Sequence, residues 1–74
     1  FYAVHLLGRL RDHRAVPTLI PLLMDADIGH NVAWALGEIG DARAVPGLIT
    51  ALGNPDALVR TSAIGALAKL CAEE

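Results

Sequence analysis

The sequence repeats itself at a spacing of 29 residues. Leu7-Gly8 returns as Leu36-Gly37, Asp12 as Asp41, Arg14-Ala15-Val16-Pro17 as Arg43-Ala44-Val45-Pro46, Leu19-Ile20 as Leu48-Ile49, and Leu23 as Leu52. So many agreements at one offset mark a repeated structural element, which restricts the chain to architectures that stack one unit on the next. A partial third copy follows at a spacing of 31, where Ala66-Leu67-Ala68 matches Ala35-Leu36-Gly37. The two extra residues are Asn54-Pro55, which have no counterpart between Met24 and Asp25.

Each unit reads as two helices. From Val32 the apolar residues fall at Val32, Ala35, Leu36 and Ile39, the i, i+3, i+4, i+7 spacing of a single helix stripe. Gly40 then acts as a stop signal and Asp41 as an N-cap for the helix that follows. That helix carries Val45, Leu48, Ile49 and Leu52 on one face, with Pro46 near its start, where a missing N–H costs least. Gly53-Asn54-Pro55-Asp56 breaks the chain, and the last helix has Val59, Ala63, Ala66, Leu67 and Leu70 as its stripe. Five helices are expected, near 1–10, 14–24, 28–40, 43–53 and 56–72, so the fold class is all-α. Pro21 falls inside the second of them, where the copy has Thr50, and predicts a kink between Pro17 and Leu22. The glycines after Leu7 and Leu36 predict close approach of a neighbouring helix backbone.

Composition narrows the function classes. Hydrophobic residues make up 54% of the 74 positions but aromatics only 4%, so the core must be built from Ala, Leu, Val and Ile. Every apolar run is interrupted well short of a membrane span, so no membrane partner is expected. The net charge of −2 and the single lysine argue against nucleic acid as a partner. Arg9, Arg11, His13 and Arg14 form a local basic patch interrupted by Asp12, which reads as a solvated turn between helices. Cys71 is the only cysteine, which rules out an intrachain disulfide and makes a reducing, cytoplasmic setting the expectation. Its position on a helix reads as a small apolar residue sooner than a reactive thiol. The first residues, Phe1 to Gly8, carry no basic segment, cleavage site or initiator Met, so the chain reads as an internal part of an array.

The unit running from Ala35-Leu36-Gly37-Glu38-Ile39-Gly40-Asp41 through Ala44-Val45-Pro46 to Ala51-Leu52, closed by Asp56-Ala57-Leu58-Val59-Arg60, resembles the HEAT-like repeat of phycobilisome bilin lyases. The resemblance extends over the whole chain and implies a right-handed α-solenoid of about two and a half helical hairpins. The organisation expected is one domain over residues 1–74: a second helix of a partial repeat (1–12) and two repeats (13–41 and 42–72). The family's repeats serve mainly as protein-binding scaffolds, which is a weak pointer to any one function. The resemblance implies that the arginine, here Arg60, is a structural residue that ties one repeat to the next. The first unit departs from the pattern, with Ile28-Gly29 in place of Val59-Arg60, so the turn before the Trp34 helix is expected to be irregular. Because the chain starts in the second helix of a repeat, its apolar ends are uncapped, and self-association end to end or by swapping is expected.

In the resembled family the second helices line the concave face. The positions on that face form three rows: Phe1, Tyr2, His5 and Arg9; His30, Asn31, Trp34 and Glu38; and Thr61, Ser62, Gly65 and Lys69. Tyr2, His5, Arg9, His30, Asn31, Trp34, Glu38, Thr61 and Lys69 are the candidate partner-binding residues. Trp34 has two readings: an anchor for a partner, or a filler between adjacent second helices that covers Gly65. The three histidines lack a completing set of Cys, Asp or Glu, so neither a metal nor a catalytic site is expected. The His-Glu pairs of iron-binding HEAT-like hydroxylases, phosphate loops and nucleophile elbows are all missing. The expected function is therefore a non-enzymatic scaffold for another protein, with no cofactor. The alternative is an accessory or chaperone-like subunit of a bilin lyase-type enzyme that binds a phycobiliprotein or a tetrapyrrole.

Overall fold

The computed structural model describes residues 2–72, with the side chains of all of these except Tyr2, Ala3, His5 and Leu7. The described residues are helical, without strands. The α-helices are α1 (Tyr2–Leu10), α2 (Val16–Leu19), α3 (Gly29–Ile39), α4 (Val45–Ala51) and α5 (Ala57–Ala72). Short 3-10 turns at His13–Ala15 and Ala42–Ala44 lead into α2 and α4, and a 3-10 segment, Ile20–Met24, continues α2. All five expected helices are present, within a few residues of their expected ends.

Two layers result. In one, α3 lies between α1 and α5; in the other, α4 packs beside the Ile20–Met24 segment. Across the layers α2 packs on α3 and α4 on α5, so α2–α3 and α4–α5 are helical hairpins stacked side by side. Among the described residues the buried hydrophobic side chains are all Ala, Val, Leu or Ile, with Leu19, Leu23, Leu36, Ile39 and Leu48 the largest fully enclosed. The stripe expected on α3, Val32, Ala35, Leu36 and Ile39, is wholly buried.

Close approach in the α1–α3–α5 layer depends on two glycines at equivalent positions. A methyl group on Gly8 would stand 2.9 Å from the Ala35 Cα, and one on Gly37 would stand 2.9 Å from both Cα and Cβ of Ala66. Real Cβ atoms do not come that near, so the repeated Leu-Gly encodes the spacing of the layer, as its recurrence predicted.

The helix ends follow local chemistry. Asp12 and Asp41 each accept a hydrogen bond from the backbone N–H two residues on, Arg14 (3.0 Å) and Arg43 (2.9 Å), and so cap the 3-10 turns. Gly40 ends α3 in the left-handed region at φ 74°, while its N–H donates to the Leu36 carbonyl. Arg11, 29 residues earlier, takes the same left-handed conformation at φ 54° with a side chain that disfavours it. Pro21 has no N–H to give the Pro17 carbonyl, and α-helical winding stops at Leu19. The kink expected between Pro17 and Leu22 takes the form of a switch to 3-10 winding.

The two hairpin turns differ as the sequence departure implied. In α4–α5, Arg60 Nη1 donates to the carbonyls of Asn54 (2.7 Å) and Pro55 (3.0 Å). In α2–α3 the turn is two residues shorter, and a Cβ on Gly29, at the Arg60 position, would stand 2.5 Å from the Leu23 carbonyl oxygen. No side chain fits there. Asp25 holds this turn instead, accepting from the N–H groups of Asp27 (2.8 Å) and Ile28 (3.2 Å).

Two expectations need correction. Ile49 and Leu52, read as core residues of α4, are 56% and 37% exposed, and the buried face of this region is Ala44, Leu48 and Ala51. Their equivalents Ile20 and Leu23 are covered by the next hairpin: a methyl on Gly47 would stand 3.1 Å from Ile20 Cγ2 and 3.3 Å from Leu23 Cδ1. The periodicity of α4 thus merges a face for its own hairpin with a face for a following one. Arg60 is the second case: its hydrogen bonds stay within its own hairpin, whereas family resemblance implied a tie between repeats.

Candidate functional site

The side of α3 turned away from the first-helix layer carries His30, Asn31, Trp34 and Glu38, none of them among the core residues. On α5 the same side carries Thr61, Ser62, Gly65 and Lys69, and on α1 it carries Arg9. Phe1 and the side chains of Tyr2 and His5, which complete the expected first row, lie outside the described residues.

Trp34 is neither a fully open anchor nor a cover for Gly65. Its indole leans toward α1, where Cζ3 would stand 2.8 Å from a methyl on Gly8. A Cβ on Gly65 would meet nothing within 4 Å. The expected filler role is therefore made on the opposite side, between α3 and α1, while the ring keeps 36% of its surface exposed. Position 65 is the repeat equivalent of position 34, so one groove of the layer holds an indole and the next holds only a glycine. A groove left open at Gly65 is a setting in which an apolar side chain of another molecule can be enclosed.

Polar groups border this groove. Glu38 on α3 and Lys69 on α5 form an ion pair that bridges it. His30 is half-buried, and the Asn31 Nδ2 is enclosed without a hydrogen-bond acceptor among the described residues. Arg9 and Thr61 are exposed. The structure thus brings Glu38 and Lys69 together and sets Trp34 beside Gly8.

Sequence reasoning missed a charged cluster at the other end of the hairpins. Asp41 accepts from Arg43 Nη2 (2.7 Å) and Nε (3.0 Å) and pairs with His13 Nδ1 at 3.1 Å. Arg43 Nη2 also donates to the His13 carbonyl at 3.0 Å. The Arg43 side chain, followed by its backbone N–H, holds the Asp41 carboxyl far below the usual carboxylate range. These contacts join the α4 entry to the α2 entry one hairpin back. The recurring Asp-x-Arg at 12–14 and 41–43 was the available signal. His13, with Ala42 at the equivalent position, gave none. The expected basic patch is dispersed: Arg14 folds back on Asp12, which lowers that carboxyl, and His13 faces Asp41.

Among the described residues no three His, Cys, Asp or Glu side chains converge as metal ligands do. No helix of the described residues is long and apolar enough to cross a membrane.

Side-by-side helical hairpins, spaced by recurrent glycines and capped at their entries by Asp-Arg pairs, define a helical-repeat protein. Residues 1–68 match the family of HEAT repeats, and the chain belongs to that family. HEAT repeats commonly mediate protein–protein interaction and are typically non-enzymatic scaffolds. The chain matches none of the curated proteins it was compared with.

Proposed function

We propose that this chain is a protein–protein interaction scaffold, not an enzyme, and that it works in the cytoplasm without a cofactor. In this reading the hairpins form a right-handed solenoid of about two and a half repeats, divided as residues 1–12, 13–41 and 42–72. The partner is another protein, bound on the concave α1–α3–α5 face by Tyr2, His5, Arg9, His30, Asn31, Trp34, Glu38, Thr61 and Lys69. The observation that carries the reading is the open groove at Gly65: the equivalent groove between α1 and α3 is filled by the Trp34 indole, whereas a side chain at position 65 would meet nothing. An apolar side chain there would lose water on both sides, and the Glu38–Lys69 pair would set a polar rim.

The test is affinity capture from native lysate with wild type, Trp34→Ala and Gly65→Leu. Gly65→Leu fills the groove without a clash, so capture should fall at least tenfold while the melting temperature holds or rises. Thr50→Lys, on the opposite layer, should capture normally. Equal capture by wild type and Gly65→Leu would reject the site.

The resemblance of residues 35–60 to bilin lyase-type repeats supports a narrower version, an accessory or chaperone-like subunit that binds a phycobiliprotein or an open-chain tetrapyrrole. Titration with such a tetrapyrrole should then change its visible absorbance, and a flat titration rejects this version while leaving the scaffold reading in place.

A further inference from the structure

Among the described residues Asn54 is the one buried polar residue, 8% exposed, and it belongs to the Asn54-Pro55 pair that the first hairpin lacks. Its amide orientation is fixed. Oδ1 accepts from the Asp56 N–H at 2.8 Å, so Nδ2 must point the other way. There its acceptor is the sulfur of Met24, 3.7 Å away at the end of the Ile20–Met24 segment in the neighbouring hairpin. A thioether is a weak acceptor, and a buried amide donor without a strong one costs free energy. The backbone of the same turn is better served, with Arg60 Nη1 donating to the Asn54 and Pro55 carbonyls.

Met24 is the only methionine of the chain and is 58% exposed. Oxidation of a core methionine is disruptive because it sets a polar group among apolar ones, but an exposed side chain escapes most of that cost. A sulfoxide oxygen is a stronger acceptor than the sulfur. Set off the line from nitrogen to sulfur, it can reach the about 2.9 Å of an ordinary N–H···O bond. We propose that Met24 is a site of oxidation by hydroperoxides, and that its sulfoxide, by accepting from Asn54, tightens the joint between the two hairpins. In the step a sulfur lone pair attacks the terminal hydroxyl oxygen of the peroxide, so an S–O bond forms and the O–O bond breaks. Sulfur gives up two electrons and the peroxide takes them. The departing oxygen carries off the hydroxyl proton, as water or an alcohol.

Treatment of the full chain with hydrogen peroxide tests this, in a Cys71→Ser background because Cys71 is exposed and holds the only other sulfur. Mass spectrometry should show one oxygen gained, and none gained when Met24→Leu is added. The oxidised protein should melt about 4–8 °C above the reduced one, the effect of one net hydrogen bond in a chain of this size. The Asn54 side-chain amide proton should move downfield in the NMR spectrum. Asn54→Asp keeps an oxygen for the Asp56 N–H but has no donor for the sulfoxide, so its oxidised form should melt no higher than its reduced form. The proposal is overturned if Met24 stays unoxidised where free methionine is fully converted, or if the oxidised protein melts at or below the reduced one. An equal rise in Asn54→Asp would overturn it as well.

Discussion

Gly37 and Ala66 fix the distance between α3 and α5: a methyl on Gly37 would stand 2.9 Å from both Cα and Cβ of Ala66. Backbone cannot yield as a flexible side-chain tip does, so Gly37→Ala must push the two helices apart. Such overpacking typically costs about 1–3 kcal/mol, against roughly 1 kcal/mol gained in helix propensity. Gly65 is the matched control on the same pair of helices, since a methyl there meets nothing. Gly65→Ala should stabilise the chain by about 1 kcal/mol and Gly37→Ala should destabilise it by about 1 kcal/mol or more. Urea denaturation of both variants checks the opposite signs, and two stabilising substitutions would mean that the helices are not locked at this distance.

These glycines also show what a sequence of this kind discloses. The 29-residue spacing revealed the hairpins, the Asp caps and the need for close approach, because each is local or recurs in the copy. The stripe of α3 was legible since α3 has neighbours on both sides, so Val32, Ala35, Leu36 and Ile39 are all covered. Ile49 and Leu52 were not legible: their pattern equals that of Ile20 and Leu23, and exposure depends on whether another hairpin follows. Helix geometry put Trp34 on the right side of α3 but could not say which groove the ring enters. That choice was made by Gly8, on a different helix. The role of Arg60 was obscured for a similar reason, because its acceptors are loop carbonyls without side-chain identity.

Arg11 offers a test of strain. It occupies the left-handed region at φ 54°, where the repeat equivalent is Gly40 at φ 74°. A side chain in that region costs roughly 1–2 kcal/mol, and glycine avoids most of this. Arg11→Gly should therefore raise the melting temperature by a few degrees, about 4–8 °C for each kcal/mol in a domain of this size. A melting temperature at or below that of wild type would show that the contacts of the Arg11 side chain outweigh its strain.

The Asp41 cluster gives the chain a definite acid response. The folded-state carboxyl sits far below its ordinary value of 3.8, held there by Arg43 and then His13. The unfolded chain takes up this proton near the ordinary value, so between the two the unfolded state binds more protons. The stabilisation is present in full above about pH 5 and is lost as the pH falls toward the folded-state value. Asp41→Asn keeps an oxygen for the Arg43 N–H but removes the charge. Its melting temperature should be lower than that of wild type at pH 7 and should fall less between pH 5 and pH 2. Parallel pH profiles for the two proteins would sink the assignment. Asp41→Ala, which also removes the cap, should cost a further few degrees.

Arg60 and Arg43 are predicted to act independently, because they hold different joints. Arg60 satisfies the carbonyls of Asn54 and Pro55 inside the α4–α5 hairpin, and Arg43 reaches back to the His13 carbonyl at the entry of the preceding one. Hydrogen bonds from a charged donor contribute about 1.5–3 kcal/mol, so Arg60→Met should destabilise by roughly 2 kcal/mol and speed amide exchange at Asp56 and Leu58. Arg60→Lys should recover part of the loss, since both carbonyls accept from the single Nη1 and an ammonium can also donate to two acceptors, though from a shorter side chain. Arg43→Met should loosen the contact between hairpins and leave the Asn54–Asp56 turn protected. If the two arginines serve separate joints, the losses in the double variant should add to within about 0.5 kcal/mol. A coupling well above that would mean that Arg60 also ties the hairpins to one another, as the family pattern implied.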